Sequence, residues 1–309
     1  MILVTGATGT IGREVVRLLP ANLAVRIMAR DPAAVTGAST TAETVQGDYE
    51  DPDSLMRALS GVRAAFLVTN RIADDDARFL RAARSAGVRH VVKLSAAGVT
   101  DGEAEDLITR WQRGNEELWR GSGLEWTLLR PRLFMSNALS WAGSVRLHGV
   151  VRALYGASAN ACVDPRDVAE VAVRALTGDR ERYAGAALTL TGPEPLTAVR
   201  QTAQLAELLG RPLRFEELGP GQARTVLAER HPRDVVDALL ERAERQRQGG
   251  KSEVDGTVPA LLGRPAGSFR VWAKHHLSAF RASVEPVSAA VQSPCEAAVT
   301  VAEKAISSA

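Results

Sequence analysis

Cysteine is almost missing from this chain. Cys162 and Cys295 stand far apart in 309 residues, so neither a disulfide framework nor a thiolate metal site has the spacing it requires. Lysine is scarce as well, found only at Lys93, Lys251, Lys274 and Lys304. No apolar run is long enough to span a bilayer. The opening stretch Ile2 to Val4 is too short for a signal peptide and already reads as a strand. Nor does one sign of charge dominate. Lys and Arg number 38 against 36 Asp and Glu, a formal net charge of +2, which excludes a general attraction to nucleic acid or to anionic membranes. A cytoplasmic protein acting on a small molecule, with no metal, is the expectation; nothing here sets an oligomeric state.

What is present is an alternation of short apolar runs with amphipathic segments, the pattern of β-α-β units around a parallel sheet. Strands are predicted at Met1–Thr5, Ala24–Ala29, Thr44–Gln46, Ala64–Val68, His90–Leu94, Trp126–Leu129 and Ala187–Leu190. Helices are predicted between them, at Ile11–Leu19, Pro52–Leu59, Asp74–Ala86, Glu105–Arg120 and Arg166–Leu176. This is an α/β chain with a doubly wound parallel sheet. After Gly192 the strands nearly stop and helices dominate, at Ala198–Leu209, Gly221–Arg230, Asp234–Gln246 and Phe269–Phe280. The chain therefore divides into an α/β domain over 1–192, a mostly helical lobe over 193–284, and a tail over 285–309 rich in Ala, Ser and Val, to which no role is assigned.

The first site follows the first strand. Gly6, Gly9 and Gly12 are spaced G-x-x-G-x-x-G, with Thr8, Thr10 and Ile11 among them. A diphosphate needs close approach of the backbone, which a Cβ would obstruct, and the helix that follows offers unpaired N–H groups to it. The same spacing serves elsewhere only to reverse a chain; here it lies between a strand and an amphipathic helix, the context a nucleotide site requires. At the second strand's end Ala29 provides no carboxylate for a ribose hydroxyl, whereas Arg30 suits a 2′-phosphate. NADPH is expected, with NADH open because Asp31 is adjacent. The alternative for Arg30 is a solvated loop charge. Asp48 and Tyr49 follow the third strand, suited to the adenine amine and ring, or to a turn in which Asp48 caps the next helix. Thr69 and Asn70 follow the fourth strand, where the chain passes the cofactor ribose.

These segments resemble the atypical short-chain dehydrogenase/reductases of the NmrA-like group. The resemblance rests on Gly6 to Gly12, Gly47-Asp48, Leu94-Ser95-Ala96 and Ser122 to Pro131, and then on Phe134 to Asn137, Asp164 to Ala169 and Thr191 to Glu194. It implies an NAD(P)-binding Rossmann fold with a small C-terminal substrate lobe, residues 131–163 contributing to the substrate pocket. It also implies cofactor contacts from Leu94, Ser95, Gln112, Pro131 and Phe134. A narrower likeness is to the group's polyketide-tailoring ketoreductases of angucyclinone type, which implies an aromatic substrate.

The departure from that pattern lies in the chemistry. Typical members carry Tyr-x-x-x-Lys on the helix after the fifth strand, where tyrosine protonates a developing alkoxide and lysine lowers its pKa. Here Tyr49, Tyr155 and Tyr183 are followed four residues later by Asp53, Ala159 and Ala187. Ile108 and Gln112 occupy the two positions. Ser95 remains as the expected catalytic group, a hydrogen-bond donor to a substrate oxygen, or else a cap at the strand end. Ketone reduction would then take its proton from water or from a neighbouring phenol of the substrate.

Trp111, Phe134, Met135, Asn137 and Trp141 are expected to wall the substrate pocket, unless they are lobe core; Arg132 and Phe134 could instead approach the nicotinamide end. Asp164 and Asp167 read as helix-capping groups, Asp74 to Asp76 as complements to a helix dipole, and Lys93 as locally paired. The basic stretch Arg242 to Lys251, interrupted by acids, reads as a solvated helix end. Two rival functions stay open, quinone reduction and non-catalytic sensing of NADP(H).

Overall fold

The protein was analysed as a computed structural model describing residues 1–37, 42–178 and 180–281. The expected tail over 285–309 and the last three residues of the expected lobe lie outside the described residues.

In chain order the elements are β1 (Ile2–Thr5), α1 (Thr10–Leu18), β2 (Val25–Ala29), β3 (Glu43–Gln46), α2 (Pro52–Leu59), β4 (Ala64–Leu67), α3 (Asp75–Ser85), β5 (His90–Leu94), α4 (Leu107–Arg120) and β6 (Glu125–Pro131). There follow α5 (Ala142–His148), β7 (Val150–Ala153), α6 (Pro165–Thr177), α7 (Arg180–Tyr183), β8 (Ala186–Leu190), α8 (Ala198–Leu209), β9 (Arg214–Glu217), α9 (Pro220–Ala228), α10 (Arg233–Arg247), α11 (Thr257–Leu262) and α12 (Phe269–His275). All seven strands expected from the sequence form one sheet, ordered β3-β2-β1-β4-β5-β6-β8, with every pairing parallel.

Both faces of the sheet are covered, so its central strands are rich in apolar residues. On one face α1, α6 and α11 pack over Val4, Ile27, Phe66, Val92 and Leu129. The other face carries α2, α3 and α4 over Leu3, Ala65, Leu67, Val91 and Leu128. Local chemistry sets the helix starts. Asp51 Oδ1 accepts from the N–H groups of Asp53 and Ser54 with Pro52 at the first helical position of α2, and Asp164 does the same for Arg166 at α6. Asp51 is therefore the cap of α2; Asp48 is not.

A third core belongs to the lobe, where Trp141, Val145, Val151, Leu205, Phe269, Trp272 and Phe280 pack together. This lobe interlocks two stretches of chain. Strand β7, in the segment after β6, pairs in parallel with β9, beyond residue 192, from Val150–Arg214 to Ala153–Glu217. The sequence pattern did not predict this two-stranded sheet. No helix of the described residues is long and apolar enough to cross a membrane.

Candidate functional site

The sheet order reverses direction at β1, which pairs with β2 on one side and β4 on the other. In a doubly wound sheet this switch point opens a crevice beyond the strands' carboxyl ends. The glycine-rich turn lies in it. Gly6 has φ +66° and its O accepts from Gly9 N at 2.9 Å; a Cβ on Gly12 would sit 2.2 Å from Gly6 O, and one on Gly6 only 3.0 Å from Val68 Cβ. Gly6 and Gly12 are thus required by the close approach of turn, helix and β4. Gly9 caps α1 without a side chain. The first-turn N–H groups of Thr10, Ile11 and Gly12 therefore have no capping side chain and can meet an anion. The exposed Thr8 lends its carbonyl to Arg13 Nη2 at 3.0 Å.

Around this turn the other expected residues take distinct places. Arg30 is exposed and has no ion-pair partner among the described residues, while Asp31 Oδ1 is engaged by Ala33 N at 3.0 Å. Asp48 Oδ1 accepts from Glu50 N, and Tyr49 gives its hydroxyl to Val68 O at 2.8 Å and its ring edge to Phe79. Asn70 is exposed, whereas Thr69 is buried and donates to Asp76 Oδ2 at 2.5 Å. Trp119 Nε1 donates to the other oxygen of Asp76 at 2.6 Å, and buried Lys93 lies 3.8 Å from it. Asp76 thus anchors a buried polar cluster, a role its place in an Asp triplet at a helix start did not reveal. Burial lowers the Lys93 ammonium pKa, against the opposing pull of Asp76 and Glu116.

Ser95 follows β5, fully buried, with its hydroxyl donating to Glu116 Oε1 at 2.6 Å. Glu116 also takes Arg130 through both oxygens and Arg120 at 3.0 Å. Burial alone would push its carboxyl up, but the hydrogen bonds from Arg130 and Ser95 and the nearby guanidinium charges hold it below the usual range. On α4, Ile108 and Gln112 are both buried, and neither polar atom of the Gln112 amide has a partner among the described residues.

Beyond the ends of β5 and β6 the lobe closes over a cavity of about 260 Å³. Ala96 to Gly98 and Pro131 to Phe134 form its floor, and Asn137, Trp141 and Leu196 one wall. Val226, Leu227, Leu239 and Arg242 from α9 and α10 line it as well. The Asn137 amide and the Trp141 indole nitrogen are buried without partners among the described residues. Three expected site residues do not line the cavity. Met135 is packed in the lobe core; Trp111 gives its indole N–H to Ala73 O at 3.1 Å, across the turn after β4; and Ser95 faces Glu116.

The sequence profile of a family described as NAD(P)H-binding matches residues 6–179, more than half of the chain. The chain belongs to this NAD(P)H-binding family. It is 56% identical to the (4-alkanoyl-5-oxo-2,5-dihydrofuran-3-yl)methyl phosphate reductase of Streptomyces griseus, over 91% of this chain and 99% of that protein. It is also 35% identical to an NAD(P)H azoreductase of Xenophilus azovorans, over 92% of this chain and all of the other. Among solved structures, the Escherichia coli NADPH-dependent quinone oxidoreductase QOR2 complexed with NADPH aligns with a TM-score of 0.76 at 24% identity, covering 90% of this chain and all of that one. The NmrA negative transcriptional regulator in complex with NADP shares the fold, with a TM-score of 0.70 at 15% identity. That 56% relative is named for a dihydrofuranylmethyl phosphate, not for an angucyclinone ketone. The chain is an NAD(P)H-dependent reductase, and the glycine-lined turn and the uncapped start of α1 fit the dinucleotide its family binds.

Sequence reasoning missed the basic side of the cavity. The stretch from Arg242 to Lys251, expected to be a solvated helix end, places Arg242, Arg245 and Lys251 on the cavity wall. A signal existed. Leu239, Arg242, Ala243 and Gln246 recur at helical spacing, so the arginine shares a face with apolar residues.

Proposed function

We propose that the protein transfers a hydride from NADPH to the β-carbon of a strongly activated α,β-unsaturated carbonyl compound, a butenolide-type lactone bearing a second acyl group. Bound in the crevice, the cofactor supplies the hydride. The feature that carries this reading is the absence of the tyrosine–lysine pair: Ile108 and Gln112 occupy the positions where the family resemblance expects it, and Ser95 is engaged by the carboxylate of Glu116. A missing general acid costs a ketone reduction roughly 10²- to 10⁴-fold. Addition to an alkene whose α-carbon bears both carbonyl groups leaves an enolate shared by both, far less basic than an alkoxide. Water can protonate its α-carbon after the hydride has arrived. The name of the 56% relative supports this class of acceptor.

The residues would divide the work as follows. Gly6, Gly9 and Gly12, with the N–H groups of Thr10 and Ile11, hold the diphosphate. Arg30 takes the 2′-phosphate, a role favoured by the engagement of Asp31 in its own turn. Asp48, Tyr49, Thr69 and Asn70 border the adenosine end, and Leu94, Gln112, Pro131 and Phe134 the nicotinamide end. Asn137 and Trp141, with their unpartnered nitrogens, orient the acceptor. The helical segment over 193–284 acts as the substrate lobe, since α9 and α10 line the cavity.

A second reading, reduction of an aromatic polyketide ketone with the proton drawn from a substrate phenol, is favoured by the flat wall of Trp141 and Phe134. The two are separated by offering the full-length protein NADPH with a 2-acylbutenolide and, separately, with an aryl ketone bearing an ortho hydroxyl. Consumption of NADPH with the butenolide at least tenfold faster is expected. Faster reaction of the hydroxyaryl ketone reverses the choice, and no oxidation with either refutes both.

A further inference from the structure

The cavity carries more positive charge than its own carboxylates neutralise. Arg152 is paired with Glu216 and Arg245 with Asp101, each below 3 Å. Three further cations have no such partner among the described residues. Arg132 is nine-tenths buried; its Nη1 donates to Gly250 O at 3.3 Å, its Nε has no hydrogen-bond partner among the described residues, and its nearest carboxylate, on exposed Glu253, is 4.0 Å away. Neither the Arg242 guanidinium nor the Lys251 ammonium makes a hydrogen bond or ion pair among the described residues. The one carboxylate acting on Arg242, that of Asp106, is already spent on the N–H and hydroxyl of Thr109 at the start of α4. Burial and the charges of Arg242 and Arg132 push the Lys251 ammonium down to about 7.

Three like charges gathered in one partly dehydrated cavity destabilise the folded chain unless something offsets them. A site that keeps such an arrangement trades stability for binding. Their placement defines the ligand. Arg242 Nη2 comes within 3.9 Å of the Cβ position at Gly98, beside the carboxyl end of β5, while Arg132 directly follows β6 and Lys251 follows α10. The adenosine end of the cofactor crevice, with Arg30, belongs to the other half of the sheet, so these cations are available to the acceptor. Trp141, Leu196, Val226 and Leu227 give the same cavity an apolar stretch of lining.

We propose that Arg132, Arg242 and Lys251 form a subsite for a phosphomonoester carried by the substrate, whose apolar part lies along the wall of Trp141, Leu196, Val226 and Leu227. This rests on reading the cavity as the acceptor site of the reductase. A dianion meets a guanidinium fork from each arginine and the point charge of the lysine, and it offers enough oxygen acceptors for all three. A carboxylate, with one charge and two oxygens, would leave part of the cluster uncompensated.

The test uses the full chain saturated with NADP⁺, so that the diphosphate site is closed to the probes. Hexyl phosphate, heptanoate and hexanol are titrated by calorimetry. Hexyl phosphate is expected to bind at least tenfold more tightly than heptanoate and more tightly still than hexanol. Arg242→Gln and Lys251→Gln should each weaken it by about 10- to 100-fold, as for a charged hydrogen bond, with NADP⁺ affinity unchanged. Their thermal midpoints should stay level or rise, because each removes repulsion. Arg132→Gln provides the same comparison if either variant folds poorly. Equal affinity for phosphate and heptanoate, or hexyl phosphate binding untouched by all three variants, overturns the proposal. Failure of the conjugate-reduction reading is seen separately, as no NADPH oxidation by an uncharged acylbutenolide in a protein that still binds hexyl phosphate through these residues.

Discussion

Ser95 Oγ lies 2.6 Å from Glu116 Oε1 and donates its proton there. The pair joins the end of β5 to the middle of α4, and the two hydrogen bonds from Arg130 extend the junction to β6. Glu116 stays ionised through the neutral range because its pKa is held low. It is therefore an acceptor, and the Ser95 hydroxyl is oriented toward it and away from the cavity.

Replacing Ser95 with alanine should consequently cost stability more than rate. The loss of a hydrogen bond to a buried carboxylate is worth about 1.5–3 kcal/mol, visible as a lower urea midpoint. The fall in kcat should stay below about tenfold. A loss of 10² or more, the size expected for an oxyanion donor, would show that Ser95 turns to the substrate.

Two glycines should respond in opposite directions. Gly12→Ala places a Cβ 2.2 Å from Gly6 O, which the turn can accept only by opening, so nucleotide affinity should be lost and stability should fall. Gly114, exposed in the interior of α4, has nothing within 4 Å of its Cβ position. Gly114→Ala should raise stability by about 0.5–1 kcal/mol with unchanged turnover. Denaturation with and without NADP⁺ measures both.

Arg30→Ala should raise the KM for NADPH by roughly 10- to 100-fold, the value of a charge-assisted contact to the 2′-phosphate. The KM for NADH should hardly move, since Asp31 is committed to Ala33. Parallel loss with both cofactors would place Arg30 elsewhere in the binding event.

The stability of the free protein should depend on Lys251 through pH. Facing it are Arg242 and Arg132, which lower its pKa, and Asp106 and Cys162, which oppose them; burial has already carried it to about 7. In the unfolded chain lysine titrates near its ordinary value of about 10.4. Between these values the unfolded state binds more protons, so this group makes stability rise with pH, by up to about 1.4 kcal/mol per unit. Below pH 7 its penalty is fully present. Lys251→Met should therefore stabilise the protein most at pH 6 and progressively less toward pH 10, read from urea unfolding at each pH.

The sheet was legible because its signals are local. Buried parallel strands are short apolar runs, and the β1-Gly6-Gly9-Gly12-α1 unit is written in adjacent residues; α2 and β5 fall on their expected bounds. What escaped notice depends on partners far away in the chain. Val150–Ala153 and Arg214–Glu217 are four residues each, the second almost wholly charged, and become strands only by pairing with each other. Asp76 looks like a helix-start acid until Thr69 and Trp119 bury it. Arg242 and Lys251 look solvated until the lobe folds back over Ala96 to Gly98. The loss of the tyrosine and lysine, by contrast, was plain from residue identities alone.

The central claim is that hydride reaches a conjugated carbon, with no tyrosine acid on α4 to serve a carbonyl oxygen. Single turnover of 4-deuterated NADPH, of the stereochemistry that is transferred, with a 2-acylbutenolide in ordinary water tests it most directly. The account predicts one deuterium on the ring carbon β to both carbonyl groups and none at the α-carbon, where the hydrogen comes from water. Deuterium on a carbinol carbon, with the ring alkene intact, would contradict it.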